Sequence, residues 1–282
     1  MKWFLNMESN DNNTSALYPT QKQALAVVLI TMLLTFILGI FGMLLGLHRT
    51  ELFLVEIFTI VPALIFVYRK NLSPIRVFRL RAVNKNIIFS AVLIGLTLSV
   101  LSDEADRLIN QIFPMPEAVV ETLKQAIQIN TWWEFILIGF SAVILASVCE
   151  EMLFRGFLQT SFENSFDVTK AVMLTALLFG IVHFNPWWTI QLIIFGIFLG
   201  VLAWKSKSII PSMVVHGINN GLSLIFHNTD EKNIEWYLWK DHVDPYIILI
   251  AAVVFIYGFK LFYSYCEELH ASKKPNDDHS QS

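Results

Sequence analysis

The sequence predicts an all-α fold: a polytopic membrane bundle of about eight transmembrane helices with both termini cytoplasmic. Composition is the first observation behind this. Of 282 residues, 55% are hydrophobic and only 15% charged, whereas a soluble chain carries about 25% charge. Mean hydropathy is +0.56. Second, the apolar residues fall in eight runs, at 24–47, 52–68, 87–101, 135–156, 170–183, 188–203, 209–226 and 245–262. A helix needs about 20 residues to cross a bilayer, so the third, fifth and sixth runs are short. The third observation is an uneven spread of positive charge.

The first run, Ala24 to Leu47, is too long for a signal-peptide core and no small-residue cleavage site follows it, so it reads as a retained helix. After the second run comes the densest basic patch, Arg69, Lys70, Arg76, Arg79, Arg81 and Lys85. Cytoplasmic loops are enriched in Lys and Arg. With this patch inside, fifteen Lys/Arg fall on the cytoplasmic side and five outside: Arg49, Arg107, Lys124, Lys232 and Lys240. The outer loops are longer. Pro116 opens one in which Val119, Leu123, Ala126 and Ile127 share a helical face, and Trp132 and Trp133 follow, the pattern of a helix lying at the interface. Trp236, Tyr237 and Trp239 form a similar belt before the last run. Residues 1–20 and 267–282 are polar tails. The glycosylation sequons within Asn12-Asn13-Thr14-Ser15 would go unused on a cytoplasmic tail.

Net charge is −3 and no Gly-rich phosphate loop is present, which argues against a nucleic-acid partner. The expected partners are the lipid bilayer and a membrane-associated peptide or protein. Cys149 and Cys266 stand on different segments, and Cys149 reads as a small apolar packing residue.

Three polar clusters interrupt the apolar runs. The first is Glu150-Glu151 with Arg155. Each ionised group at bilayer depth costs roughly 2.5–3.5 kcal/mol on insertion scales, so such residues must pair, line a wet cavity or do chemistry. Glu151 and Arg155 are four apart on one helical face, in the favoured order for an ion pair. Glu150 then projects elsewhere, and a lone carboxylate in low dielectric suits a general base. The second cluster is Phe179-x-x-x-His183, and the third His216-x-x-x-Asn220, with Asn219 as the alternative partner. Each has a plain structural reading. His183 can cap a short helix on a loop carbonyl near Asn185-Pro186, and His216 with Asn220 can make ordinary interhelical hydrogen bonds. Together they hold what peptide hydrolysis needs: a base for water, a group to orient it, and donors for a tetrahedral oxyanion. Gly196-x-x-x-Gly200 and Gly217-x-x-x-Gly221 offer close backbone approach around them. No His-Glu-x-x-His, Gly-x-Ser-Gly or Gly-x-Gly-Asp motif is present.

The order Glu-Glu-x-x-x-Arg, Phe-x-x-x-His, His-x-x-x-Asn resembles the CPBP family of intramembrane proteases. These are the CAAX prenyl endopeptidases and the bacteriocin-processing or immunity proteins once called Abi. The resemblance covers about 135–226. It implies an eight-helix fold and endoproteolysis within the bilayer near the cytoplasmic side. Glu150 and His183 would activate water, His216 and Asn220 would hold the oxyanion, and Glu151, Arg155 and Phe179 would support them. No cofactor is implied by the favoured glutamate mechanism. Because members are often labelled metalloproteases, Zn²⁺ on Glu150, His183 and His216 is the alternative. The chain then divides into a cytoplasmic tail (1–23), N-terminal helices with the outer interfacial helix (24–134), a CPBP/Abi-like catalytic core (135–226), an outer loop with the last helix (227–262) and a second tail (263–282). The compact chain points to a bacterial plasma membrane. Processing of membrane peptides is as well supported as CAAX cleavage. A non-catalytic immunity or scaffold protein is the second reading, and a transporter, lacking any inverted repeat, the third.

One geometric condition accompanies this reading. Glu150 and His183 meet only if the fourth helix runs on past Phe157 or the fifth tilts. A Phe184-Asn185-Pro186-Trp187 turn sunk below the outer surface would bring them together.

Overall fold

The computed structural model describes residues 17–45 and 50–271. The sequons, Arg49 and most of both polar tails lie outside the described residues. The helices are α1 (Gln21–Leu44), α2 (Thr50–Arg69), α3 (Pro74–Val77), α4 (Lys85–Ile112), α5 (Glu117–Ile127), α6 (Trp132–Glu163), α7 (Val168–Ile181), α8 (Thr189–Ser206), α9 (Ile210–His227) and α10 (Pro245–Ala271). Among the described residues a two-residue hairpin, β1 (Leu238–Trp239) and β2 (His242–Val243), is the only sheet. The protein is an integral, multi-pass membrane protein. Five helices, α1, α4, α6, α8 and α10, are long and apolar enough to cross a bilayer, and α7 is a shorter apolar rod.

Three helices outrun their apolar runs. The third, expected over 87–101, extends through Asp103, Glu104, Asp106 and Arg107 to Ile112. Charge does not end it because three of the four side chains have partners: Arg107 holds Asp103, and Glu104 accepts from His242 and from the Val243 N–H. The fourth runs past Phe157 to Glu163, and the last continues to Ala271, beyond the boundary drawn at 263. Thr131 starts α6 with a capping box, its hydroxyl accepting from the Glu134 N–H while Glu134 reaches back to the Thr131 N–H. Two π-helical stretches, Phe140–Leu145 and Met152–Leu158, interrupt α6 on either side of Ala146–Glu151.

Hydrogen bonds between loops define the two ends of the bundle. At one end the Ile209 N–H donates to the Arg79 carbonyl (3.2 Å), Ser208 Oγ donates to the Arg81 carbonyl (2.5 Å), and Arg79 pairs with Glu163. This is the basic face. At the other end Tyr237 Oη donates to Asp103 (2.9 Å), Trp187 Nε1 to the Pro114 carbonyl (3.2 Å) and Asn228 Nδ2 to the Ile127 carbonyl (3.0 Å). The amphipathic helix α5 lies there with no buried residue.

The core around α6 is tight. Gly156 packs so closely on the Phe78 backbone that an added Cβ would lie 2.8 Å from its Cα. Similar added atoms would lie 3.2 Å from Ala176 Cα at Gly196 and 2.9 Å from Gln159 Oε1 at Gly200. Gly217 is close to the Val143 carbonyl, at 3.1 Å, whereas Gly221 meets only ordinary contacts from 3.7 Å. Three of the four paired glycines therefore serve close approach, and the fourth does not.

Candidate active site

The short helix α7 sets the depth of the site. Fourteen residues rise only about 21 Å, so α7 cannot span the roughly 30 Å hydrocarbon core. Phe184 ends it in the left-handed region, φ 50°, and its ring packs 6.0 Å from Phe36 of α1. From the basic face, Glu150 stands roughly 20 Å above Glu163 and His183 roughly 22 Å above Val168, at about 1.5 Å per residue. The two groups thus share one level. Extension of α6 past Phe157 meets the condition that their meeting required, while the turn at 184–187 is tied to the loop after α4 through the Trp187–Pro114 bond.

At that level three helices converge on one carboxylate. Glu150 Oε2 lies 4.0 Å from His183 Nε2 and 3.9 Å from His216 Nε2. It is buried with no hydrogen-bond partner among the described residues. Such gaps exceed a direct hydrogen bond and match two groups bridged by one water molecule.

Both imidazoles are oriented from behind. His183 Nδ1 lies 2.6 Å from the Phe179 carbonyl, and His216 Nδ1 lies 3.0 Å from Glu151 Oε1. A carbonyl and a carboxylate can only accept, so Nδ1 carries the proton in each ring and Nε2 faces Glu150. His183 caps its own helix, not the Asn185-Pro186 loop. The Phe179 carbonyl is one of those left over at a helix end.

Glu151 is fully buried and takes Arg155 Nη1 at 2.6 Å, the pairing that the i,i+4 spacing predicts. Arg155, also fully buried, sends Nη2 to the Gly196 carbonyl (3.4 Å) and lays its guanidinium over the Phe179 ring, 4.1 Å from the centroid. A desolvated contact of this kind contributes about 2 kcal/mol. Phe179 also presents its ring to His183 (4.8 Å, 69°) and His216 (6.0 Å, 86°). One aromatic ring packs against the cation and both imidazoles, which explains why a Phe precedes the histidine by one turn.

Asn220 Nδ2 donates to the Ala142 carbonyl (2.9 Å), inside the first π stretch of α6. That bond uses one amide hydrogen and leaves the other for a ligand. Asn219 lines the same cavity, so both asparagines remain within reach of it.

Glu150, His183, His216 and Asn220 line a cavity of about 590 Å³. Among the described residues no set of three His, Cys, Asp or Glu side chains has metal-holding geometry. Two donors bound at about 2.1 Å to one tetrahedral zinc lie roughly 3.4 Å apart, closer than the 3.9 and 4.0 Å found here.

Residues 132–222 match the family model for type II CAAX prenyl endopeptidases, Rce1-like. The Rce1-like segment begins at the first residue of α6 and closes two residues beyond Asn220. It holds all seven motif residues, so the resemblance read from the three motifs is shown over this part of the chain. No curated protein and no solved structure matches.

Outside the Rce1-like segment the cavity acquires residues that motif reading missed. Glu56 of α2 lines it beside Glu150, and α4 contributes Ser99, Ser102, Asp103, Asp106 and Asn110. Glu56 was visible in principle, as an acid within the apolar run 52–68. Tyr237 reaches the rim through its bond to Asp103. Burial pushes its phenol far above the ordinary range, and the Asp103 charge adds to the shift.

Proposed function

We propose that the protein is an intramembrane endopeptidase, of the kind its Rce1-like segment describes, in which Glu150 activates water without a metal. The observation that supports this reading is the convergence of His183 and His216 Nε2, from α7 and α9, on the unpartnered Glu150 Oε2. Glu150 takes a proton from a water that also donates to His183 Nε2, and the oxygen attacks the peptide carbonyl carbon. The oxyanion accepts from the free Asn220 amide hydrogen and from His216 Nε2–H. That hydrogen is present when His216 carries protons on both nitrogens, with Nδ1–H donating to Glu151 Oε1. Glu150 then delivers its proton to the amide nitrogen, the C–N bond breaks, and an acid and an amine leave.

The site lies within the bilayer, in the half nearer the basic face, roughly 20 Å from Glu163 against about 27 Å from Trp132. The substrate is a membrane-associated peptide or protein, processed in CAAX fashion or as a membrane peptide. Glu150→Gln keeps size and polarity and removes the base. It should abolish cleavage by about 10²–10⁴-fold or more while leaving insertion and thermal unfolding unchanged. Retained cleavage would defeat the proposal and favour a non-catalytic immunity or scaffold role. Incubation with a zinc chelator should leave the wild-type rate intact; loss restored by Zn²⁺ would defeat the metal-free form.

A further inference from the structure

We infer that the basic face carries a binding site for the phosphate of an anionic phospholipid headgroup, built from Arg79, Arg81 and Lys207. It lies at the Glu163 end of α6, away from the cavity, and it stands whether or not Glu150 is a catalytic base.

Three cations meet one carboxylate there. Arg79, whose side chain is only 9% exposed, pairs through Nη2 with Glu163. The other oxygen of Glu163 already accepts from Gln159 Nε2 at 2.8 Å. Arg79 Nη1 is buried without a hydrogen-bond partner among the described residues. Arg81 and Lys207 are exposed, and neither side chain has a hydrogen bond or ion pair among the described residues. Partial desolvation holds the Lys207 ammonium below the usual lysine range; Glu163 opposes the shift, and Arg79 and Arg81 add to it. Three positive charges against one negative leave a surplus of two. Like charges held this close repel unless an anion joins them.

The backbone keeps these charges together. The Ile209 N–H donates to the Arg79 carbonyl (3.2 Å) and Ser208 Oγ to the Arg81 carbonyl (2.5 Å). Arg79 and Lys207 both take the left-handed conformation, φ 51° and 55°. Lys207 does so at the C-terminal end of α8, a place that glycine fills with least strain. A long cation stands where the turn itself favours no side chain. Helices α4 and α9 also begin at this end, so two helix N-termini add partial positive charge to the same turns.

A phosphate supplies what is missing, a negative charge for Arg81 and Lys207 beside Arg79. Depth favours a lipid as its source. Lys207 directly follows the membrane-crossing helix α8, and its Nζ lies 5.5 Å from the Trp204 ring centroid. Lys205 Nζ lies 4.4 Å from the centroid of Tyr263 at the same end. Tryptophan and tyrosine rings gather at the headgroup level of a bilayer. Basic pockets between membrane helices on the cytoplasmic side bind anionic headgroups. The Arg79–Glu163 pair and the contact of Gly156 with the Phe78 backbone join the site to α6. A bound headgroup therefore stabilises the bundle by mass action.

The test reads thermal unfolding of the full-length protein in phosphatidylcholine vesicles, with and without dioleoylphosphatidylglycerol, and needs no catalysis. The anionic lipid should raise the wild-type midpoint. In Arg81→Gln with Lys207→Gln that rise should shrink by about half or more. Arg69→Gln with Lys70→Gln removes the same charge from the exposed end of α2 on the same face, and should keep the rise. Equal losses in the two pairs would show a general surface-charge effect and overturn the site, as would no rise in the wild type. Arg81→Lys with Lys207→Arg keeps the charges and should keep the rise; loss there too would mark a structural role and overturn the inference. Lys207→Gln alone repeats the comparison if the double variant does not fold. A last arm adds inorganic phosphate to phosphatidylcholine vesicles. No rise there supports the lipid source, and a rise equal to that with phosphatidylglycerol assigns the site to soluble phosphate and overturns it.

Discussion

Glu151 Oε1 lies 3.0 Å from His216 Nδ1, so the second acid of the pair is the seat of an imidazole and not a free carboxylate. The same oxygen takes Arg155 at 2.6 Å. Two adjacent glutamates thus do different work. Glu151 joins α6 to α9 from within, and Glu150 faces the cavity.

Removing one member of the Glu151–Arg155 pair leaves a charge in a fully buried position, a change that costs about 3–5 kcal/mol. Glu151→Gln and Arg155→Met should each lower stability by roughly that amount in detergent unfolding. The double variant should be less damaging than the sum. Strict additivity would show that the two charges are not coupled.

Two glycines of α6 should respond in opposite directions. Gly156→Ala forces a Cβ to 2.8 Å from Phe78 Cα and should destabilise, by about 1–3 kcal/mol. Gly139 has no neighbour within 4 Å of the same added atom. Gly139→Ala should be neutral or stabilise by up to about 1 kcal/mol through helix propensity. Thermal unfolding of the pair measures both.

Asn220→Ala removes an amide donor but no acid or base. Cleavage should show a kcat reduced by about 10²–10³-fold with KM changed little, the signature of a lost oxyanion donor. If kcat holds and Asn219→Ala shows the loss instead, the donor is the neighbouring amide.

Tyr237 supplies a pH dependence. Burial and the Asp103 charge raise its phenol above the unfolded value near 10. Above that value the folded state holds the proton and the unfolded state does not, so stability falls as pH rises past about 10. The contribution is complete below it. Tyr237→Phe should flatten the alkaline limb of the stability curve, and an unchanged limb would place its origin elsewhere.

Much of the architecture was legible because apolar runs and basic turns are direct physical signals. The Glu151–Arg155 pairing followed from helical spacing alone. The lengths of α4, α6 and α10 were not legible from hydropathy. Asp103, Glu104 and Arg107 look like a helix end until their partners on 237–243 are known. The π stretches carry no residue signature, so the register that directs Glu150 and seats Asn220 on the Ala142 carbonyl came only from the structure. Gln159, which donates to the Gly200 carbonyl and to Glu163, was hidden for the same reason. Glu56 was missed by attention to motifs, although the desolvation argument that singles out Glu150 applies to it equally.

The abrupt end of α7 bears on the surrounding lipid. Its apolar length falls short of the hydrocarbon thickness by roughly 9 Å, and mismatch costs fractions of a kcal/mol per Å. Acyl chains beside α7 would have to shorten or tilt to meet Phe184, at the level of Glu150 and His183. A thicker bilayer would raise that cost and a thinner one would lower it.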